Sequence, residues 1–291
     1  MKKVEVNVIN TESFELIVKN SFGVTAKGEA VDIYTIRNSS ETAVDIITYG
    51  ATVNSIYVAD KDGVFADVLS GFDTVEGHEK LSDYQGMTVG RYANRICNGR
   101  FSLNGKTYQL TQNEKDKTCL HSAGEFSDAV WNAIIVDDNA VEMNYTSPDG
   151  AMGFPGKVDF KVTFTLHEDN ALKIEYSAVS DKKTVINMTN HAYFNLAGKG
   201  DILAHELMIN ADAYTPIDEN SIPTGEVRKV EGTPFDFRAG QVIGEGVKAE
   251  KENEQLVNGA GYDHNWILDR KSENEIEFAA SVWEPTSGRY M

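Results

Sequence analysis

A histidine lies among neutral polar residues in the segment TNHAYFNLAG, at positions 189–198. In an extended chain, successive side chains point to opposite faces. From residue 185 to residue 196, one face is apolar except for Asn190 and carries Ile186, Met188, Ala192, Phe194 and Leu196. The opposite face carries Val185, Asn187, Thr189, His191, Tyr193 and Asn195. We therefore expect a strand that is anchored in a core and presents its polar face to a polyhydroxylated ligand.

Arginines and amides interrupt a second β-like segment, GRYANRICNGRF, at positions 90–101. It places Asn94 beside Arg95 and brings three arginines into a short stretch. A guanidinium presents a rigid fork of hydrogen-bond donors, which suits the hydroxyls of a sugar. The same pattern also fits an arginine that is solvated or paired with one of the many carboxylates. The sequence leaves both interpretations of Arg95 open.

Two more segments carry candidate site residues. In CLHSAGEFSDAVW, at positions 119–131, His121 stands just before a loop, where a lone histidine is more often structural than functional. In GYDHNWIL, at positions 261–268, Asp263 precedes His264 at the start of an apolar strand. Alternation sends these two neighbours to opposite sides, so we expect only one of them at a ligand. An Asx turn that opens the strand is the structural alternative for Asp263.

The charge balance disfavours several classes of partner. The chain of 291 residues has 45 acidic and 27 basic residues and a formal net charge of −18. Such a field repels the phosphates of nucleic acids and anionic membrane surfaces. The sequence contains no phosphate-binding loop of the G-x-G-x-x-G or G-x-x-x-x-G-K-[ST] type, and no H-E-x-x-H or G-x-S-x-G motif. We expect chemistry by side-chain acids and bases, without a nucleic-acid partner.

Cysteine usage and the lengths of apolar runs predict a cytoplasmic protein without a membrane partner. Cys97 and Cys119 show neither C-x-x-C spacing nor a disulfide pattern, so we expect two reduced core thiols and no zinc site. The N-terminal segment VEVNVINTESFELIV lacks the unbroken apolar run of a signal peptide. No window approaches the roughly 20 apolar residues of a membrane span.

Short alternating runs predict an all-β fold. They are VDIYTIRN, VDIITYGATVNSIYV, FSLNGKTYQL, WNAIIVDD, AVEMNYTS, KVDFKVTFTL and LKIEYSAV. LNGK at 103–106 and EDNAL at 168–172 provide hairpin turns, since Asn and Gly tolerate positive φ. The best helix candidate is the short acidic stretch 245–257. Without a linker or repeat, residues 1–291 are expected to form one domain, a large antiparallel β-sandwich.

Six segments together resemble the aldose 1-epimerases, also called galactose mutarotases. They are GRYANRI, LHSAGEFSDAVW, SPDGAMGFPG, TNHAYFNLAG, TPIDENSIPTGEV with GTPFDFR, and GYDHNWIL. They occur in the family's order over roughly residues 49–290. The resemblance implies a β-sandwich of the galactose mutarotase type. It also implies interconversion of the α and β anomers of free aldohexoses, without a cofactor or a required metal.

The resemblance also implies roles for individual residues. His191 matches the general acid that protonates the ring oxygen of the sugar. Asn94, Arg95, His121, Tyr193 and Asp263 match positions that hold sugar hydroxyls. An ordinary histidine pKa of about 6.5 allows proton transfer in both directions near neutral pH.

The chain departs from the family pattern at two places. Ser122 and Ala123 stand where the family has two glycines, and the spacing from His121 to Trp131 is about one residue shorter. Family members also continue for some tens of residues beyond WEPTSGRYM, and that part normally carries the catalytic glutamate and a glutamine that contacts the substrate. Glu284 is nearest in sequence, but it matches a position before that base and is expected on a surface strand.

Without the family's C-terminal strands, the sheets would have exposed edges and exposed apolar surface. We therefore expect these 291 residues alone to be poorly soluble or nearly inactive compared with a full-length relative. A decay of optical rotation in fresh α-galactose as fast as with such a relative would contradict this expectation.

Two alternative functions stay open at the level of sequence. A carbohydrate-binding protein without catalysis would keep Arg95, His191 and Asp263 but bind without faster anomer exchange. A sugar-phosphate epimerase on the same fold would need a basic phosphate pocket. The acidic balance disfavours such a pocket, although Arg91, Arg95 and Arg100 could form one locally.

Overall fold

The structure is a computed structural model that describes residues 16–81, 83–249, 251–272 and 274–291. Its strands, in chain order, are β1 (Ile17–Val24), β2 (Ala30–Arg37), β3 (Ala43–Ile47), β4 (Thr52–Ala59), β5 (Phe65–Asp67), β6 (Thr88–Val89), β7 (Arg95–Cys97), β8 (Arg100–Leu103), β9 (Lys106–Gln109), β10 (Thr118–Leu120), β11 (Asn132–Asp137), β12 (Ala140–Ser147), β13 (Val158–Leu166), β14 (Leu172–Ser180), β15 (Thr189–Asn190), β16 (Glu206–Ile209), β17 (Ala213–Thr215), β18 (Arg228–Lys229), β19 (Gln241–Val242), β20 (Asn265–Ile267) and β21 (Ala280–Trp283). The helices are α1 (Val75–Leu81), α2 (Ile243–Val247) and α3 (Glu254–Gly259), with 3₁₀ turns at His121–Gly124 and Ala151–Gly153.

Two antiparallel sheets carry the main core. One contains strands β1 to β5 and the other strands β11 to β14, each in chain order. Along β13, the alternate residues from Val158 to Leu166 are buried, as the pattern VDFKVTFTL predicts. The core contains Tyr34, Ile36, Val44, Ile46 and Val53 of the first sheet and Val141, Met143, Val158, Phe160, Val162, Phe164 and Leu166 of the second. The predicted all-β sandwich is confirmed.

Both predicted hairpin turns occur. Asn104 and Gly105 join β8 to β9 with φ angles of 52° and 75°, a backbone that Asn and Gly accept more readily than other residues. Asn170 has a φ of 68° between β13 and β14. Each of the seven runs expected to be β contains strand residues, and VDIITYGATVNSIYV contains both β3 and β4.

Three of the local expectations are wrong. The stretch 245–257 is not one helix, because its described residues form the end of α2, a turn and the start of α3. Cys119 is a buried thiol as expected, but Cys97 is exposed at the end of the short strand β7. Ile186 was assigned to the core face and is 40% exposed.

None of the helices in the described residues has the length and apolar character needed to cross a membrane.

The segment from residue 185 to residue 196 is extended, but its regular pairing is short. Only Thr189–Asn190 forms a strand, β15, which pairs with β6. Isolated bridges at Asn187 and Phe194 continue the extended course on either side. Met188, Ala192 and Phe194 pack against the main core, and Leu196 is buried. The apolar face thus anchors the segment as predicted, while the expected continuous strand is replaced by brief contacts.

A buried arginine, Arg91, joins the loop before β7 to the loop before β13 and lies beside the buried Glu125. Arg91 is fully buried, and its Nη1 donates to the carbonyl oxygens of Pro155 and Gly156 at 3.0 and 3.1 Å. Nη2 donates to the Ser147 hydroxyl, which in turn donates to Glu125 Oε1. Arg91 Nε lies 4.0 Å from Glu125 Oε2, and neither atom has a hydrogen-bond partner among the described residues. Burial raises the pKa of the Glu125 carboxyl, which the arginine charge opposes.

Replacing Arg91 with methionine is expected to destabilise the protein strongly. The change leaves Glu125 buried without a cation, a situation that costs about 3–5 kcal/mol of unfolding free energy. Urea denaturation at neutral pH measures the loss. The exposed Arg100→Met is the matched control, with a change within about 0.5 kcal/mol.

The double variant Arg91→Met/Glu125→Gln separates charge from packing. We expect it to be more stable than Arg91→Met alone, because the uncompensated carboxylate is gone. A single variant as stable as the wild type, or a double variant less stable than Arg91→Met, would contradict a charge-paired Arg91.

Candidate active site

Backbone pairing with the loop before β6 fixes the position of His191. Its N–H donates to the carbonyl of Met87 at 2.9 Å, and its own carbonyl accepts from Gly86 N at 3.0 Å. The neighbouring Asn190 donates through Nδ2 to the carbonyl of Gly86 at 2.8 Å. The next residue, Ala192, packs against the main core on the opposite face of the segment. Together these contacts fix the backbone so that His191 stays on the polar face.

Aromatic rings surround the half-buried His191 imidazole. The ring of His121 lies 5.0 Å away between centroids and nearly perpendicular, at 88°. Tyr193 lies 5.2 Å away, and Tyr84 lies 6.1 Å away. The structure therefore brings together two histidines and two tyrosines from three separate stretches of chain. Tyr84 is one that the sequence did not single out.

A reciprocal pair of hydrogen bonds joins His121 to Asn94. Asn94 N donates to His121 Nδ1 at 3.0 Å, and His121 N donates to the carbonyl of Asn94 at 3.0 Å. Because Nδ1 accepts a hydrogen bond, the ring is the neutral tautomer with its proton on Nε2. Strands β7 and β10 pair Arg95 opposite Leu120. This pairing places Asn94, which precedes Arg95, next to His121, which follows Leu120.

The turn after His121 contains Ser122 and Ala123 where the family has two glycines, and its hydrogen bonds show how this chain accommodates them. Ser122 and Ala123 have φ angles of 53° and 57°, in the left-handed region where glycine is unstrained. The Ser122 hydroxyl accepts from Tyr92 N at 2.8 Å and donates to the Tyr92 carbonyl at 3.2 Å. These bonds offset the cost of a side chain in this conformation and hold the turn against the Asn94 loop.

Arg95 is held by carboxylates on two sides. Its Nε and Nη2 each donate to an oxygen of Glu114 at 2.8 Å, which forms a bidentate pair. Its Nη1 lies 3.9 Å from Asp263 Oδ2. Arg95 is therefore paired with carboxylates, which was one of the two interpretations of this residue. It also lies close enough to His121 to affect its pKa. Asp263 keeps 58% of its side chain exposed.

Alternation around Asp263 occurs as predicted. His264 faces away from Arg95 and packs on Phe235 with ring centroids 4.6 Å apart. Its Nε2 lies 3.2 Å from Gln255 Oε1, and burial lowers its pKa to about 4. His264 is therefore a structural residue, and Asp263 is the member of the pair that reaches the candidate site.

The two remaining candidates lie at the surface of the site. Asn94 is exposed, and its Oδ1 accepts from Arg95 N at 2.7 Å. Tyr193 is 43% exposed, and its hydroxyl lies 3.5 Å from the carbonyl of Asp83. Both side chains are therefore accessible to a ligand.

Burial sets the protonation states of the site. It lowers the pKa of His121 to about 3, with further contributions from the charges of His191 and Arg95. It also lowers the pKa of His191, against which Asp263 acts in the opposite direction. Burial raises the pKa of Asp263, whereas Arg95 lowers it. Near neutral pH the site thus combines neutral imidazoles with an arginine and two carboxylates.

The other charged residues considered in the sequence, Arg91, Arg100 and Glu284, do not add to this arrangement. Arg91 is fully buried and Arg95 is paired with Glu114, so they form no basic pocket with Arg100. Glu284 is buried rather than on a surface strand, which corrects the expectation. Burial alone would raise its pKa, but hydrogen bonds from Ser287 and Thr286 lower it to about 2. No group of three or more His, Cys, Asp or Glu suited to a metal ion occurs in the described ranges.

The fold and the site define a β-sandwich protein with an open polar site of imidazoles, an arginine and a carboxylate. The family model described as "Aldose 1-epimerase" matches residues 32–290. Galactose mutarotase of Rattus norvegicus is 38% identical over 278 residues, which cover 94% of this chain and 78% of the rat protein. Aldose 1-epimerase of Escherichia coli K12 is 35% identical over 258 residues, covering 88% and 73%.

A solved structure shows the same similarity. The crystal structure of galactose 1-epimerase from Lactobacillus acidophilus superimposes with a TM-score of 0.81 at 29% identity. The match covers 92% of this chain and 77% of that protein. This chain belongs to the aldose 1-epimerase family.

The two site histidines are expected to titrate differently. His121 should stay neutral from about pH 8 to about pH 5, because its pKa is about 3 and Nδ1 is occupied by the Asn94 N–H. His191 should take up a proton with a midpoint below the ordinary value of 6.5. Nitrogen–proton correlation NMR of the imidazoles, assigned with single variants, measures both. A His121 that titrates near its ordinary value, or carries its proton on Nδ1, would contradict this geometry.

Proposed function

We propose that this protein is an aldose 1-epimerase that interconverts the α and β anomers of free aldohexoses such as galactose. The observation that carries the proposal is the His191 imidazole. It is half-buried against His121 and feels the charge of Asp263, which in turn lies 3.9 Å from Arg95, in a chain of the aldose 1-epimerase family. No observation favours a sugar-phosphate epimerase, since Arg95 is already paired with Glu114.

His191 is the proposed general acid. It donates a proton to the ring oxygen of the pyranose while the anomeric hydroxyl loses its proton and the bond from C1 to the ring oxygen breaks. The open-chain aldehyde rotates about C1–C2, and the reverse steps close the ring as the other anomer. Burial lowers the pKa of His191, so the protonated imidazole that acts as the acid is the minor form near pH 7 but a stronger acid than an ordinary imidazolium. Because water can accept the anomeric proton, an acid positioned at the ring oxygen is catalytic by itself, typically by about 10²–10⁴-fold.

The other candidates are proposed to hold the hydroxyls of the sugar. His121 offers its Nε2–H, because Nδ1 is engaged by Asn94. Arg95 offers Nη1, and the Asp263 carboxylate accepts from hydroxyl groups. Asn94 and Tyr193 complete the set with an amide and a phenol at the exposed rim. Such neutral and charge-assisted hydrogen bonds match an uncharged polyol.

The proposed surroundings of this activity are simple. The substrate is a small neutral aldohexose, bound without a nucleic-acid or membrane partner. A cytoplasmic location is proposed from the composition and the reduced cysteines. The acidic net charge of −18 supports the absence of polyanionic partners.

Replacing His191 with alanine tests the proposal. The turnover of α-galactose to β-galactose, followed by polarimetry above the spontaneous rate, should fall at least about 100-fold, because one general acid is lost. Thermal unfolding should be little changed, since the half-buried ring makes no hydrogen bond to another of the described residues.

The exposed His167→Ala provides the control for histidine loss and should turn over galactose at the wild-type rate. The comparison is made within one chain, so it does not depend on the absolute rate. A wild type that binds galactose in calorimetry without accelerating anomer exchange would identify a carbohydrate-binding protein instead. Near-normal turnover in His191→Ala would return His191 to a structural role.

A further inference from the structure

Glu114 is the closest charged partner of a proposed sugar-binding residue, although neither its position in sequence nor its loop suggested a role. Its two carboxylate oxygens accept from Nε and Nη2 of Arg95 at 2.8 Å each. The Thr118 hydroxyl also donates to Oε2 at 2.6 Å. A bidentate pair of this kind fixes the plane and rotation of a guanidinium, which a single contact does not.

The loop that carries Glu114 is itself closed on β10. Glu114 and Thr118 form a backbone bridge, and Lys117 N donates to the carbonyl of Glu114 at 3.0 Å. The Glu114 side chain is 21% exposed and that of Arg95 is 15% exposed, so both are partly shielded from water. Lys115 and Lys117 are exposed, and the Arg95 contact dominates in lowering the pKa of Glu114. Glu114 is thus held as an anion against Arg95.

The pair leaves one part of Arg95 for a ligand. Nη1 makes no hydrogen bond within the described residues, and its ion-pair contact is Asp263 Oδ2 at 3.9 Å. A sugar hydroxyl that bridges Nη1 and Asp263 would fit such a gap, because it can accept from the one and donate to the other. Glu114 therefore selects which edge of the guanidinium is presented.

The pair also removes the positive charge of the site. One arginine faces two carboxylates, Glu114 and Asp263, while both histidines are neutral near pH 7. The sum is one negative charge. A phosphate could form a bidentate pair with the Nε–Nη2 edge of Arg95 only by displacing Glu114 from two charge-assisted hydrogen bonds. At the remaining Nη1 it would meet the repulsion of Asp263, whose Oδ2 lies 3.9 Å away.

We propose that Glu114 is a positioning and specificity-determining residue, which orients Arg95 for a neutral pyranose and excludes phosphorylated or otherwise anionic sugars. This inference rests on the proposed function, because it assigns Arg95 to the sugar site. Beyond the proposed function, it identifies anionic sugars as the class that the site rejects and Glu114 as the residue responsible.

The experiment compares Glu114→Gln with Glu114→Asp and with a matched control. Glu226→Gln removes a carboxylate from a similar bidentate pair with Arg228, which has no contact with the candidate site residues in the described chain. Each variant is titrated by calorimetry with inorganic phosphate and galactose 6-phosphate, and its KM and kcat for galactose are measured.

Glu114→Gln should raise the KM for galactose about tenfold with kcat changed less than about threefold, because the acid His191 is untouched. It should also bind phosphate and galactose 6-phosphate at least about tenfold more tightly than the wild type. Glu114→Asp keeps the charge but shortens the reach, so it should raise KM without improving phosphate binding. Glu226→Gln should change neither.

Phosphate affinity in Glu114→Gln equal to that of the wild type would overturn the exclusion. An unchanged KM, or equal losses of kcat and thermal stability, would overturn the positioning role. The calorimetric titrations measure the effect of Glu114 on phosphate affinity even if galactose is not turned over. A wild type without anomer exchange therefore refutes the proposed function alone, whereas a wild type that binds galactose 6-phosphate as well as galactose refutes this inference alone.

Discussion

The reciprocal hydrogen bonds between Asn94 and His121 are the contact on which the candidate site depends. They join two loops that are 27 residues apart in sequence and fix the His121 ring as a neutral donor through Nε2. Asn94 and His121 both have left-handed φ angles, 65° and 49°, a conformation that needs support from its surroundings. The Ser122 hydroxyl supplies part of it from the next residue. This junction holds the His121 ring 5.0 Å from that of His191 and next to the residue that precedes Arg95.

Burial and pairing, rather than net charge, define the chemistry of the site. Desolvation keeps both imidazoles neutral near pH 7, and Glu114 neutralises Arg95. What remains is an array of donors with one accessible carboxylate, Asp263. We propose that such a set recognises hydroxyl groups by geometry and that His191 exchanges a proton with a neutral ligand. The acidic character of the whole chain acts in the same direction at long range.

Periodicity predicted the parts of the structure that depend on local sequence. Alternation identified β2 to β4 of the first large sheet and β11 to β14 of the second, whereas the edge strands β1 and β5 were not among the predicted runs. It also identified the anchored side of the His191 segment and the opposite directions of Asp263 and His264. It failed for Ile186, because a segment with only two paired residues does not keep a strict two-residue repeat. Glu114 could not be predicted, since its partner lies 19 residues away and nothing in its exposed loop marks it. The buried Glu284 likewise depends on backbone donors supplied by a turn.

The most direct measurement is a crystal structure of this protein with galactose bound. The account predicts a pyranose whose ring oxygen lies within about 3.2 Å of a ring nitrogen of His191. It also predicts a hydroxyl between Arg95 Nη1 and the Asp263 carboxylate, with the Glu114 pair intact. A sugar bound elsewhere on the sandwich, or one that turns its ring oxygen away from His191, would contradict it.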